Sequence, residues 1–326
     1  MSGTAWVLGV DSGGSGLRIG LADAESGTPA GTVVAKEPVR TGAEGIDAGH
    51  LLEQLLPAAE ELLGRAGGVR PVAVAIGAAG MATLGDQLRA ALPGALESAL
   101  GVRRLALAAD AVTAYAGALG QRPGAVVAAG TGLIALGTDL DSWRRADGWG
   151  HLLGDCGGGS WIGRAGLEAA LRAHDGRRGG SAALLARVEA VFGPASGLPG
   201  LLYPRTDRPA FLASFAPEVA RCSGGDPVAA GILREAARHV AEAAASVCPQ
   251  ASGCEVALTG GLFKMGDPLL VPLRGELAAQ LPHARPVSAA GDPLSGSLLI
   301  ASALAGGGLR LPHDPLMLYV PGESGS

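Results

Sequence analysis

The chain has 326 residues, of which 54 are glycine, 48 % are hydrophobic, 17 % are charged and 3 % are aromatic, with a formal net charge of −5. Glycine at more than twice its ordinary share of roughly 7 % would fit a linker or a fibre, but the apolar content suffices for packed cores and no three-residue glycine period occurs, which excludes disordered and collagen-like chains. Twenty-five basic residues against 30 acidic ones, with no basic run, argue against nucleic acid or an anionic membrane as partner.

The longest apolar stretches, around 72–82 and 125–137, are too short and too broken by glycine to span a bilayer. The N-terminus has no basic stretch followed by an apolar core. Four cysteines (Cys156, Cys222, Cys248, Cys254) form no CxxC pair. A cytoplasmic protein with reduced thiols is expected, and the length fits two domains at roughly 100–200 residues each.

In chain order, residues 5–10 read as an apolar strand that stops at Asp11-Ser12-Gly13-Gly14-Ser15-Gly16, with 17–22 as hairpin partner and 30–34 as a third strand. Residues 47–66 carry Leu51, Leu55, Ala59, Leu62 and Leu63 at helical spacing despite Pro57. Residues 72–76 form the next strand and 85–100 the next helix; strand 104–109 ends at Asp110, ahead of a helix over 111–119. The pattern then restarts, as strand 125–129 runs into Gly130-Thr131-Gly132 and returns over 133–137. Later segments are mostly helical. Asp226-Pro227, Asp267-Pro268 and Asp292-Pro293 each place an N-cap aspartate before a first-turn proline. A strand over 255–258 ends at Thr259-Gly260-Gly261, and the proline- and glycine-rich tail after Leu311 is expected to fray. The fold class is α/β in two domains, 1–120 and 121–326, each opening strand, glycine turn, strand. A helix around 293–305 is a candidate to cross back to the first domain.

The unusual glycine sits where apolar strands end, at 11–16, 77–80, 130–132, 154–159 and 260–261. Glycine there lets consecutive backbone N–H groups face an anion with no side chain in the way. One such turn is explained by tight turning alone; five in one α/β chain point to a nucleotide. A P-loop is excluded, since neither lysine (Lys36, Lys264) follows glycine. A dinucleotide fingerprint is excluded because Gly13–Gly16 leads into a strand, not a helix. What remains is a phosphate-binding hairpin carrying an aspartate, repeated once.

Val10-Asp11-Ser12-Gly13-Gly14-Ser15 resembles the phosphate-1 hairpin of the actin, Hsp70 and sugar-kinase superfamily, Gly130-Thr131-Gly132 its phosphate-2 hairpin, and 258–263 its adenosine turn. Gly148-Trp149-Gly150-His151-Leu152-Leu153-Gly154-Asp155, followed by Trp161-Ile162-Gly163, resembles the BadF/BadG/BcrA/BcrD ATPase family and within it the N-acetylglucosamine kinases. The resemblance implies two actin-like (ribonuclease H-like) domains with a nucleotide cleft between them. It also implies an ATP- and Mg²⁺-dependent kinase acting on the 6-hydroxyl of an amino sugar, N-acetylglucosamine first and glucosamine second.

Asp110 reads either as a helix cap or as a general base toward the sugar hydroxyl, and the resemblance favours the base. By resemblance Asp11 holds Mg²⁺, Gly13, Gly14, Ser15, Gly130, Thr131 and Gly132 contact phosphate, and Gly260 and Gly261 contact adenosine. Gly148, Trp149, Gly150 and Asp155 form the sugar pocket together with Asp110, while His151 reads as structural. Arg18 and Lys264 are open between a nucleotide contact and a solvated side chain. Three positions depart from the family pattern: Cys156 where glutamate is usual, Leu133 where a small polar residue is usual, and the 40–45 loop, which lacks an asparagine and offers Glu44 instead. A dehydratase-activating ATPase is the competing reading, but the Cys248–Cys254 spacing fits no iron–sulfur motif. The cysteine clusters of zinc-containing relatives are missing too. The expected partners are ATP and a small sugar; a homodimer is compatible with the sequence, which fixes no oligomeric state.

Overall fold

In a computed structural model of the protein, residues 4–14, 16–42 and 45–322 are described; Ser15 and Glu44 lie outside them. The chain packs into two compact units, one drawing on Met1–Gly124, Thr138–Trp143 and Ser288–Ser326, the other on Ala125–Gly137 and Arg144–Val287.

The first unit begins with strands β1 (Trp6–Gly13), β2 (Gly16–Asp23) and β3 (Pro29–Ala35), then helix α1 (Ala48–Arg65), β4 (Ala73–Ala78), α2 (Asp86–Leu100), β5 (Arg104–Ala109) and α3 (Asp110–Leu119). The second unit holds β6 (Gly124–Ala129), β7 (Leu133–Thr138), β8 (Trp143–Asp147), α4 (Gly159–His174), α5 (Pro227–Val247), β9 (Cys254–Thr259), α6 (Asp267–Gln280) and β10 (Ala284–Ser288). The chain then supplies α7 (Pro293–Ala305) and β11 (Leu318–Tyr319) to the first unit.

The first sheet has the order β11-β5-β4-β1-β2-β3. Strands β1, β4 and β5 are parallel, while β2, β3 and β11 run antiparallel to their neighbours. All of β4 is buried, as its unbroken apolar sequence requires of a strand covered on both faces. Asp47 caps α1 by accepting from His50 N–H at 3.0 Å, and the helix buries Leu51, Leu55, Ala59 and Leu62 on one face. Helix α7 packs on α3 and β1, where the buried Ser297 hydroxyl donates to the Val10 carbonyl at 2.8 Å.

The second sheet has the order β8-β7-β6-β9-β10. Its core joins Val127, Ile162, Leu184, Phe215, Val240 and Leu273, with α5 against both α4 and α6. Among the described residues no helix is long and apolar enough to cross a membrane.

Four local features differ from the sequence reading. Strand β1 does not stop before the aspartate: Asp11, Ser12 and Gly13 remain in the ladder opposite Arg18, Leu17 and Gly16, because β2 on one side and β4 on the other keep their backbone groups paired. Asp110 opens α3 with Ala109 in the cap position. Asp226 and Asp292 do cap their helices, but Asp267 is the first residue of α6, with Gly266 at the cap and no side-chain cap bond.

The tail does not fray as far as Gly322. Leu311 and Leu318 are 1 % and 0 % exposed, Asp314 accepts from Leu316 and Met317 N–H at 2.8 Å each, and β11 pairs with Leu107 and Ala108. The turn Asp314–Leu318, with Pro315 inside it, returns the chain to an open sheet edge. Leu318→Ala should cost about 2–5 kcal/mol, the usual price of a buried leucine truncation, read as a lowered urea midpoint at unchanged slope; a shift under about 0.5 kcal/mol would show that the tail is not part of the core.

Candidate functional site

Each unit contributes its own set of candidate residues. In the first, Asp11 and Arg18 are direct cross-strand partners, which places opposite charges side by side on one face of the hairpin. The Arg18 guanidinium donates from Nε and Nη2 to Asp11 Oδ2 at 3.0 and 2.6 Å, and from Nη1 to Asp292 Oδ2 at 2.5 Å. Burial acts to lower the arginine's pKa, yet its bonds to the two carboxylates raise it. Burial acts to raise that of Asp292, but the Ser295 N–H and hydroxyl and Arg18 hold it below the usual range. Arg18 is thus a bridge between a candidate metal ligand and the N-cap of α7. Gly13 and Gly14 sit at the hairpin end, the latter exposed.

Asp110 follows the last residue of β5. Its Oδ1 accepts from Ala111 N–H at 2.9 Å, its carbonyl accepts from the Thr113 hydroxyl at 2.9 Å, and the preceding Ala109 N–H donates to the Met317 carbonyl at 2.8 Å. The tail therefore pins the strand end that carries this aspartate. In the parallel ladder Asp11 is level with Gly77, and Gly77 with Ala108. Asp110 stands two residues further on and two strands away, so the backbones lie roughly 10 Å apart across the sheet. Both carboxylates occupy the carboxyl end of parallel strands, the end at which open α/β sheets bind ligands.

In the second unit, the turn Gly130-Thr131-Gly132 joins β6 to β7, closed by Gly130 N–H on the Gly132 carbonyl at 2.9 Å, with Thr131 exposed. The first turn of α4 is stapled to it: Gly159 N–H donates to the Gly130 carbonyl at 2.9 Å and Ser160 N–H to the Thr131 carbonyl at 2.8 Å. Gly132 faces Asp155 so closely that a Cβ there would lie 2.5 Å from Asp155 Oδ2. Gly260, at φ +105, meets the Ala129 carbonyl in the same way, and only glycine accepts both that dihedral and that approach.

Asp155, at φ +55, accepts from Gly150 N–H at 3.1 Å and from Leu133 N–H. Burial pushes its pKa up, the Gly150 and Leu133 bonds oppose this, Asp147 adds to it and His151 opposes it. Asp147 itself accepts from Asp155 N–H at 2.5 Å and Cys156 N–H at 2.8 Å. Trp149 is 65 % exposed with the Arg145 guanidinium 4.5 Å from its ring centroid. Burial first, then the neighbouring Asp147, push the pKa of the Cys156 thiol up. Cys248 and Cys254 are core residues; burial first, then Cys254, push the Cys248 thiol up to about 12.

A cavity of about 600 Å³ opens beside this turn. Gly130, Thr131, Gly159 and Gly261 line one side with Lys264, which is exposed, and Ala210, Ala213, Ala216 and Pro217 line the other. That second wall comes from the short helices Arg208–Ala213 and Ala216–Cys222, which carry no motif.

A family match covers residues 8–301, described as the BadF/BadG/BcrA/BcrD ATPase family. The chain belongs to that family. Among solved structures it is similar to a protein of Chromobacterium violaceum assigned as an N-acetylglucosamine kinase, at 30 % identity and a TM-score of 0.68, covering 93 % of this chain and 99 % of that one. A glucokinase of the ROK family from Streptomyces griseus, solved with glucose and AMPPNP, shares the fold at a TM-score of 0.53 and 22 % identity over 91 % of this chain and 98 % of that one. The N-acetylmuramic acid/N-acetylglucosamine kinase of Clostridium acetobutylicum is 42 % identical over 69 residues, a segment that spans 21 % of this chain and 22 % of that relative.

As a member of the BadF/BadG/BcrA/BcrD family, the protein shows which of the expected residues its own packing joins. In the second unit the 130–132 turn, the start of α4 and Asp155 form one contiguous body, and the cavity adds Gly261 to it. In the first unit Asp11 and Asp110 share a sheet end. Sequence reasoning missed the small-residue wall, the Arg18–Asp292 link, and Arg145 and Asp147. The last two stand immediately before the Gly148 block, which was the available signal. Gly132→Ala should displace Asp155 and cost about 1–3 kcal/mol as overpacking does, measured by urea unfolding; full stability would show that the contact relaxes freely.

Proposed function

We propose that this protein is an ATP-dependent sugar kinase that transfers the γ-phosphoryl group of ATP to the 6-hydroxyl of an amino sugar, N-acetylglucosamine ahead of glucosamine, both met as free sugars in the cytoplasm. The observation that carries the reading is the placement of Asp110 at the carboxyl end of a parallel strand, two strands from the Asp11 hairpin. The name of the Chromobacterium relative, similar over almost the whole chain, supports the substrate class.

In-line phosphoryl transfer asks for positioned charge and one base more than for covalent chemistry. Asp110 takes the proton of the attacking hydroxyl through its carboxylate, which the Ala111 N–H already orients. Backbone amides at Gly13, Gly14, Gly130 and Gly132 and the Thr131 hydroxyl contact the phosphates. Gly260, Gly261 and the cavity beside them take the adenosine, with its apolar wall against the base. Gly148, Trp149, Gly150 and Asp155 take the sugar.

The residues fit Mg²⁺. The described residues contain no group of three metal-ligating side chains, and Mg²⁺ bound with nucleotides needs only one or two carboxylates beside phosphate and water. Asp11 supplies one, with Arg18 bonded to its Oδ2 alone and Oδ1 left to face the ion. When bound, the ion neutralises charge that develops on the β- and γ-phosphates.

An ADP-release assay over N-acetylglucosamine, glucosamine, glucose and mannose should show sugar-dependent turnover, fastest with N-acetylglucosamine. No turnover with any sugar overturns the reading. Asp110→Asn should lower kcat by about 10²–10⁴ while calorimetry finds ATP affinity within about twofold of wild type; unchanged kcat would remove Asp110 as the base.

A further inference from the structure

Residues 147–156 form a loop held in an unusual way. Trp149, Leu152 and Leu153 near its tip are 65 %, 77 % and 86 % exposed, so apolar burial does not hold it to the core. Its neck is closed by polar bonds instead. Asp147 accepts from the consecutive Asp155 and Cys156 N–H groups, one on each oxygen, at 2.5 and 2.8 Å. Arg145 fixes the other side of the neck, donating from Nε to the Asp147 carbonyl at 3.1 Å and from Nη2 to the Gly148 carbonyl at 2.7 Å. Both aspartates take left-handed backbone conformations, φ +59 and +55, a region that few residues besides glycine, asparagine and aspartate visit.

We propose that Asp147 is a positioning residue for the sugar site: by clamping the amides of residues 155 and 156 it sets where the Asp155 carboxylate stands. The inference rests on the sugar-kinase reading above. Direct contact of Asp147 with a ligand is disfavoured because both its oxygens are engaged by amides. Asp155 has little freedom of its own: its Oδ1 accepts from Gly150 N–H, Leu133 N–H bonds it as well, and Gly132 closes one side. A shift of its backbone strains those bonds and misplaces the carboxylate against the sugar, a loss of ground-state binding that is read in KM and not in kcat.

The test is steady-state kinetics of Asp147→Ala and Asp147→Asn with thermal melts of each. Asp147→Ala should raise KM for the sugar about tenfold or more, with kcat and KM for ATP within about twofold. Asp147→Asn keeps one acceptor oxygen but sets an NH2 group against the other clamped N–H, and should raise sugar KM by a smaller margin, about threefold. It should also move the acid limb of kcat/KM for the sugar to lower pH, since it removes the Asp147 charge that helps raise Asp155 and leaves the Gly150 and Leu133 bonds and the opposing effect of His151 in place. Unchanged sugar KM in Asp147→Ala, or sugar and ATP KM rising together, overturns the proposal and leaves the kinase reading intact. Should the alanine variant not fold, an Asp147→Asn variant with wild-type sugar KM overturns it equally. A wild-type protein that turns over no sugar removes the kinase reading and this inference with it.

Discussion

Backbone must approach backbone within hydrogen-bonding distance for the second unit to hold its candidate site. The β6–β7 turn offers the Gly130 and Thr131 carbonyls outward, and the first amides of α4 close on them. A helix start leaves its first N–H groups without intrahelical partners, and here the turn accepts two of them. That staple demands that no side chain intervene, so Gly158 and Gly159, whose Cβ atoms would meet the turn backbone at 2.8 and 2.6 Å, are conditions of the contact rather than incidental residues. Once the contact exists, Asp155 falls beside the turn, and one side of the cavity is the same segment seen from its other face. The turn and the loop that carries Asp155 are then one contiguous piece.

The first unit solves a different problem, that of holding acidic groups at a sheet end without mutual repulsion. Arg18 lies between Asp11 and Asp292, and the arrangement follows from the antiparallel register of β1 on β2 and from the capping of α7. Because α7 also bonds β1 through Ser297, the hairpin and the helix that arrives nearly 280 residues later are locked twice, once by charge and once by a hydroxyl. Partly exposed pairs of this kind contribute little to stability; their value is in orienting the Asp11 carboxylate.

Much of this was legible from residues alone, and the reasons for success and failure are physical. Strand 104–109 and the hairpins were readable because apolar runs bounded by glycine have few alternatives. The extension of β1 through Asp11 was not, since whether a polar residue stays in a ladder depends on neighbours on both sides. The tail misled because proline and glycine signal irregular backbone, whereas the burial of Leu311 and Leu318 is decided by a sheet edge some 200 residues away in sequence. Asp267 matched the cap pattern of Asp226 and Asp292, but Gly266 at φ +77 took the cap position instead. The alanine wall of the cavity and the Asp147 clamp had no motif to reveal them, being products of how short segments pack.

The discontinuity of the first unit bears on synthesis. Residues 125–137 and 144–287 make up the second unit, so all of its core has left the ribosome while the first unit still lacks α7 and β11. Until those arrive, β1 and β4 have no α7 against them and the β5 edge is bare. An uncovered apolar sheet with an open edge is prone to pair with other chains. During translation, therefore, the unit whose sequence comes first is the one completed last.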